Sequence, residues 1–416
     1  MTERPAELMR RLAANTRVGY SFDQEFYTAD AVFKADMDQV ISRKWLVAGH
    51  VSRIPNRGDY FLYKIGSEQI IVIRENDTSI RAFFNVCRHR GSTLCSEESG
   101  NKKLLVCPYH AWSYGLDGRL IAARLMADDF DKADNGLFAC HVRLFHGLIF
   151  INMSEDEPED FDATFGDMGP ILDYHGIADA RIAHAGSYPT TANWKLVIEN
   201  FFECYHCVPS HPEFCSIHGA ESIVAVGAGP SSGPADAIAS FTPMLKAWEE
   251  RAAALGRPIG NMDDAPDSSH LRLLMQRMNK EGWASETQDG TAPAPLMGKR
   301  TQADGGRMHL SFSPFTQIVA DDHFAILFQF TPRSALASDV EMIWLVDGRA
   351  SEDEVDIEKM IWGYHATTTQ DKVITENNQA GIMSSRYRPG RYSEQEGSVL
   401  KFQKWYLNQF GLDRAE

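Results

Sequence analysis

The chain lacks a surplus of positive charge: 57 acidic residues stand against 41 basic ones, a net charge of −16 over 416 residues. This excludes a nucleic-acid partner, which would require a basic surface able to displace counterions from phosphates. A long apolar run is missing from the start as well. Met1 to Phe22 mixes Glu3, Glu7 and four arginines, and reads as neither a secretory signal nor a membrane span, so no membrane association is expected. Cysteine is scarce, with seven in the chain. The odd count, and the clustering of several with histidine, argue for metal ligation in a reducing cytoplasm over a disulfide framework. What is present suffices for two or three domains, since 44% of the residues are apolar and can bury a sizeable core.

Asp30 to Arg43 carries Phe33, Met37, Val40 and Ile41 at helical spacing, with Thr28 or Asp30 available as an N-cap. From Trp45 the chain turns strand-like. The runs Tyr60–Ile65, Gln69–Arg74 and Ile80–Val86 are short, β-rich and separated by turn residues. Two loops follow. Cys87-Arg-His89-Arg-Gly91 supplies C-x-H, and with seventeen residues between His89 and Cys107, Cys107-Pro-Tyr-His110-Ala-Trp-Ser-Tyr supplies C-x-x-H. Asp117-Gly118 then marks a tight hairpin.

Two thiolates and two imidazoles at these intervals suit a [2Fe-2S] cluster of mixed ligation, with the cysteines on one iron and the histidines on the other. A Cys₂His₂ zinc site fits less well, because a single residue separates Cys87 from His89. Cys95 and Cys140 match no ligand position and read as small buried residues. Glu155 to Asp162 is acidic, contains Pro158 and reads as an exposed connector.

A second stretch, Asn193 to Phe214, runs Asn-Trp-Lys, then Glu203, His206 and His211. Glu203 and His206 are three apart and share a helix surface. A helix broken near Val208 by Pro209 would fold His211 back beside His206, a metal half-site. Farther on, helices are expected over Met244–Leu255 and His270–Met278, and loops over Gly227–Pro234 and Thr287–Pro295. Met308–Ser313, Phe324–Thr331 and Glu341–Val346 read as antiparallel strands. A long helix begins near Asp353 and a final one spans Ser398–Phe410.

On the long helix Asp371 shares a face with Thr367, Ile374, Thr375 and Asn378. Spacing alone does not choose it over Asp356 or Glu376 as a third ligand. His309, His323 and His365 each stand alone and read as structural. Phe201, Phe202, Tyr205, Phe312, Phe315, Phe328 and Phe330 could supply a cation–π cage, though most are expected in the core.

The two cysteine–histidine loops resemble the cluster motif of the Rieske non-heme iron oxygenases. The order Asn193-Trp194-Lys195, Glu203, His206, His211 resembles that family's mononuclear iron site. Glutamate within Glu-Cys-Tyr-His-Cys resembles the branch acting on carnitine, glycine betaine and proline betaine. The resemblance implies an α+β chain: a helical segment over 1–44 packed on the catalytic domain, a β-rich Rieske domain over 45–160, and a helix-covered antiparallel-sheet catalytic domain over 161–416. It implies Cys87, His89, Cys107 and His110 on the cluster, and His206, His211 and Asp371 on Fe(II), Asp371 being chosen by its Gln-Asp…Asn-Gln-x-Gly context. Glu203 becomes an electron-transfer bridge between subunits of a homotrimer.

The implied reaction is oxidative N-demethylation of a quaternary ammonium compound, using O₂ and electrons from a separate NAD(P)H-dependent flavin and iron–sulfur reductase. An aromatic ring hydroxylase or aromatic O-demethylase is the alternative, and an electron-transfer protein the alternative of another class.

Overall fold

The computed structural model describes residues 5–219, 223, 235–263 and 270–412. The loop expected over Gly227–Pro234 lies outside them. The chain forms two compact units, one of residues 42–163 and the other of 1–41 together with 164–416. Both are built from antiparallel strands with helices, an α+β architecture.

In the 42–163 unit, β1 (Leu46–His50), β2 (Asp59–Ile65), β3 (Glu68–Asn76), β4 (Ser79–Phe84), β5 (Ser99–Asn101), β9 (Ala139–Phe145) and β10 (Leu148–Asn152) form a sheet of order β1-β10-β9-β4-β3-β2-β5. A smaller sheet joins β6 (Leu105–Val106), β7 (Ser113–Tyr114) and β8 (Leu120–Ala122). Asp117 and Gly118 lie in the β7–β8 connection. Gly118 has φ of 82°, and a Cβ there would stand 2.4 Å from the Phe83 ring, so the turn needs glycine for both reasons. Cys95 and Cys140 are buried.

The other unit holds β11 (Ala180–Thr190), β12 (Met262–Asp263), β13 (Leu273–Met278), β14 (Gly306–Ser313), β15 (Thr316–Ala320), β16 (Ala325–Ser334) and β17 (Ala337–Asp347), in the order β11-β17-β16-β15-β14-β13-β12. A helix over Ile357–Ile382 packs on β11 and on the helices Trp194–Phe201 and Pro212–His218. The helix expected over His270–Met278 is instead β13. Leu271, Leu274, Met275 and Met278 do have helical spacing, but Leu273–Met278 pairs residue for residue with β14, and that long-range pairing overrides the local pattern. The helix expected from Met244 starts earlier and spans Ala235–Ala254 with Pro243 inside it.

The N-terminal helix Asp30–Gln39 is shorter than expected and follows Ala29, whose side chain offers no cap. Its inward face is Val32, Ala35 and Asp36. Asp36 is fully buried and explains the Asn-Trp-Lys run. Its carboxylate pairs with the Lys195 ammonium, and accepts hydrogen bonds from Trp194 Nε1 at 3.0 Å and from the Tyr406 hydroxyl at 2.6 Å. Asn193 caps the next helix, its side chain accepting from Lys195 N–H at 3.0 Å.

Lys195→Met would leave that carboxylate buried without its cation, a loss of about 3–5 kcal/mol. An unfolding free energy from urea titration within about 1 kcal/mol of wild type would contradict the network's structural role.

Candidate metal centres and the pocket beside them

The cysteine–histidine pairs sit in two loops, one after β4 and one after β6, whose backbones are built alike. Gly91 N–H donates to Cys87 O at 3.0 Å, and Cys87 N–H to Ser92 O at 2.8 Å. In the second loop Ala111 N–H donates to Cys107 O at 3.0 Å, and Cys107 N–H to Trp112 O at 2.8 Å. Both loops turn through positive φ, 75° at Gly91 and 58° at Ala111; the second is uncommon for alanine. Cys87 and Cys107 are buried, and the Cys87 sulfur lies 3.3 Å from the Tyr114 hydroxyl.

The His89 and His110 rings stand 4.6 Å apart, and His89 stacks on Trp112. Both Nδ1 atoms are buried with no hydrogen-bond partner. Buried polar atoms rarely stay unsatisfied, and two imidazole nitrogens with two thiols are the donor set that a mixed-ligand iron–sulfur cluster satisfies. Among the described residues, the group of three or more donor atoms gathered within 4.8 Å is His206, His211 and Asp371.

The second centre is assembled from a broken helix and the long one. The helix Trp194–Phe201 ends before Glu203, a one-turn helix covers Cys207–Ser210, and a new helix starts at Pro212. The break therefore comes earlier than Val208. Pro209 is tolerated inside the short first turn, where its missing N–H has no partner to lose, and Pro212 opens the next helix. His211 lies at that junction, fully buried.

Its Nε2 is 2.9 Å from Asp371 Oδ1 but out of line for a hydrogen bond, so the two atoms converge beside each other. His206 Nε2 is 3.2 Å from the same oxygen. Burial works against a charged His206, yet Asp371 and Glu203 outweigh it and push its pKa up to about 10. Burial raises the Asp371 carboxyl, and His206 and His211 bring it below its ordinary range. The trio thus draws positive charge. Two imidazoles and one carboxylate on one side suit Fe(II), leaving other positions open.

Each histidine is held from behind. Glu203 takes the His206 Nδ1–H on one oxygen, and accepts from the backbone N–H of His206 at 3.2 Å and of Tyr205 on the other. Gln370 Oε1 accepts from His211 Nδ1–H at 2.8 Å, and Gln370 in turn donates to Glu213 at 2.8 Å. Gln370 was not singled out in the sequence, where its one signal is the place before Asp371. Gln370→Leu should weaken iron binding about 10–100-fold. Retention of wild-type iron after a graded chelator titration would contradict that role.

The rival acids occupy other posts. Asp356 caps the long helix, accepting from Lys359 N–H at 3.0 Å, and Glu376 accepts from Thr191 N–H at 2.9 Å. His365 meets the Tyr188 hydroxyl at 2.7 Å, and His323 is buried.

The pocket containing the trio is faced by Phe201, Phe214, Phe328 and Tyr364. Of the aromatics named from sequence, Phe330 lines a smaller neighbouring pocket. Phe202, Phe312 and Phe315 pack in the core, and Tyr205 is exposed. Phe214 and Tyr364 were missed, since nothing local distinguishes them. His309 also lines the pocket, held by Gln317.

Known proteins resemble the chain along its length. The Rieske [2Fe-2S] domain profile matches residues 44–137, and that of the ring hydroxylating alpha subunit (catalytic domain) matches 177–411. The glycine betaine monooxygenase oxygenase subunit of Pseudomonas aeruginosa (strain UCBPP-PA14) is 36% identical over 408 residues, covering 95% of this chain and 91% of that protein. The carnitine monooxygenase oxygenase subunit of Escherichia coli (strain K12) is 34% identical over 210 residues, 50% of this chain and 56% of that one. A solved structure of a quaternary ammonium Rieske monooxygenase superimposes with a TM-score of 0.72 at 24% identity, over 96% of this chain and 98% of that one, a likeness of fold.

Proposed function

The chain belongs to the Rieske non-heme iron oxygenases, the family of the ring hydroxylating alpha subunits, and from that premise we propose that it hydroxylates an N-methyl group of a quaternary ammonium compound, glycine betaine or proline betaine. The hydroxymethyl product is unstable: its hydroxyl proton leaves as the C–N bond breaks, giving formaldehyde, a tertiary amine and a proton. Each turnover takes O₂, two electrons and two protons; one oxygen atom enters the methyl C–H bond and the other leaves as water.

The observation that carries this reading is the pocket itself, where the aromatic side chains of Phe201, Phe214, Phe328 and Tyr364 share one wall system with His206, His211 and Asp371. Aromatic faces attract a methylated ammonium, most strongly where water is excluded. The glycine betaine relative, matched over 95% of this chain, supports the same substrate class.

Cys87, Cys107, His89 and His110 would hold the [2Fe-2S] cluster, and His206, His211 and Asp371 the iron. When bound, the cluster supplies a one-electron relay and the iron a centre for O₂ activation. The surrounding residues set the geometry. Glu203 and Gln370 fix each histidine's Nδ1–H and leave Nε2 for the metal. The aromatic wall places the ammonium and keeps water from it.

We assign Glu203 as the bridge between subunits of a head-to-tail homotrimer, accepting from His206 of its own chain and from His110 of the next. Electrons would come from a separate NAD(P)H-dependent flavin and iron–sulfur reductase. A cytoplasmic place fits seven free cysteines. Among the described residues no helix is long and apolar enough to cross a membrane.

Iron-loaded protein with reductase, NADH and each betaine should release formaldehyde in step with O₂ uptake. Formaldehyde from an aromatic methyl ether and none from a betaine would establish the O-demethylase instead, and a hydroxylated arene the ring hydroxylase. No substrate-dependent O₂ uptake with any of them would leave an electron carrier.

A further inference from the structure

Beside the pocket that contains the trio lies a second, narrower gap, and Asp371 borders both. It forms where three packed elements do not quite close on one another. The helix Trp194–Phe201 presents Val197, Asn200 and Phe201 to it, three and four residues apart and so on one helix face. The long helix presents Thr368, Asp371 and Thr375 at the same kind of spacing. From the sheet come Phe328 and Phe330, two apart on one side of β16, and Val340 of β17, the direct ladder partner of Phe330.

Size and lining decide what this gap can hold. Its volume is about 20 Å³, against about 120 Å³ for the larger pocket. A guest the size of one water needs roughly 10–15 Å³, so the gap admits a diatomic molecule and excludes a trimethylammonium group. Val197, Phe328, Phe330 and Val340 are all buried and give it apolar walls. The polar side chains at its border are engaged with the protein. Thr190 donates to Tyr188 O at 3.0 Å and Thr368 to the Met342 sulfur at 3.2 Å. Lys372 reaches Pro189 O, and Asn200 Nδ2 lies 3.3 Å from His206 Nε2. A buried water wants two to four polar partners, whereas an apolar cavity takes apolar guests.

Phe201 and Phe328 line both spaces. The Phe201 ring stands 5.2 Å from that of Phe328 and 4.9 Å from that of Phe330, a partition between the two. An ammonium seated against the Phe201 and Phe328 rings fills the larger pocket, and the second reactant then needs another approach to the trio.

We infer that the gap is a dioxygen site, an apolar annex that holds one O₂ behind the Phe201–Phe328 partition and delivers it beside Asp371 while the organic substrate occupies the larger pocket. This rests on the oxygenase reading above and adds to it a separate place for each co-substrate.

The test has two arms. Crystals of oxidised, iron-loaded protein pressurised with dioxygen should show one diatomic molecule between Val197 and Val340. In solution, Val340→Ile puts one more methylene into the gap. KM for O₂, measured with saturating glycine betaine, should rise about fivefold or more, the low end for a methylene added to a packed interior. KM for the betaine should keep its wild-type value, and Val340→Ala, which enlarges the gap, should not raise KM for O₂.

Absence of dioxygen from the gap in wild-type crystals, a result that needs no variant to fold, would overturn the annex. So would a KM for O₂ that Val340→Ile leaves unchanged, or an equal rise in KM for the betaine. Dioxygen bound in the gap of a protein that oxidises no quaternary ammonium compound would leave the annex standing and overturn the reaction. Betaine turnover without dioxygen in the gap would do the reverse.

Discussion

Asp371→Ala is expected to reduce product formation roughly a thousandfold or more, the scale of several kcal/mol lost when a metal no longer stabilises the reacting oxygen. The iron at the His206–His211 site should be lost with it, since two neutral imidazoles remain where Asp371 Oδ1 had stood 2.9 and 3.2 Å from their Nε2 atoms. The cluster should survive, because its four candidate ligands lie in the other compact unit. Purified Asp371→Ala protein should thus show an unchanged Rieske spectrum, unchanged acid-labile sulfide and about one iron fewer per chain. Substantial turnover with the iron retained would show that some other group completes the site. Asp356 and Glu376 are poor stand-ins, each engaged with a backbone N–H elsewhere.

The second large effect is expected at Glu203. Its carboxylate uses one oxygen for His206 Nδ1–H and the other for two backbone N–H groups, and the first oxygen keeps a further lone pair for a donor from outside the chain. Glu203→Gln keeps the size and one carbonyl acceptor but replaces the other acceptor with a donor. Turnover should fall about 100-fold, the upper range for disturbing the partner of a ligating histidine. Iron and sulfide contents should stay near wild type. The deciding readout is the reduced cluster: with substrate and O₂ added, its reoxidation should slow by the same factor as turnover. If reoxidation keeps its wild-type rate while turnover falls, Glu203 orients His206 and nothing more, and the bridging role is lost.

The sequence disclosed most where function depends on neighbours in the chain. The two cluster loops are local, each closed by its own backbone hydrogen bonds, so C-x-H and C-x-x-H could be read directly. The pair His206 and His211 was legible for the same reason, although the helix already breaks at Phe202, makes a single turn over Cys207–Ser210 and begins anew at Pro212. Asp371 was different. Its helix face is mixed, and spacing left Asp356 and Glu376 equally open; the family resemblance made the choice.

Groups joined across long stretches of chain could not be read. Asp36 looked like one more polar residue on an amphipathic helix, and only the fold brings it to Lys195 and Tyr406. Val197 and Val340 looked like ordinary core positions, and only the fold brings them to one gap beside Asp371.

The account stands or falls on there being two separate iron centres in one chain. Metal and acid-labile sulfide analysis of pure, fully loaded protein measures this directly. The expected result is about three irons and two sulfides per chain, the sum of one [2Fe-2S] cluster and one mononuclear site. Zinc in place of iron, with no acid-labile sulfide, would contradict it.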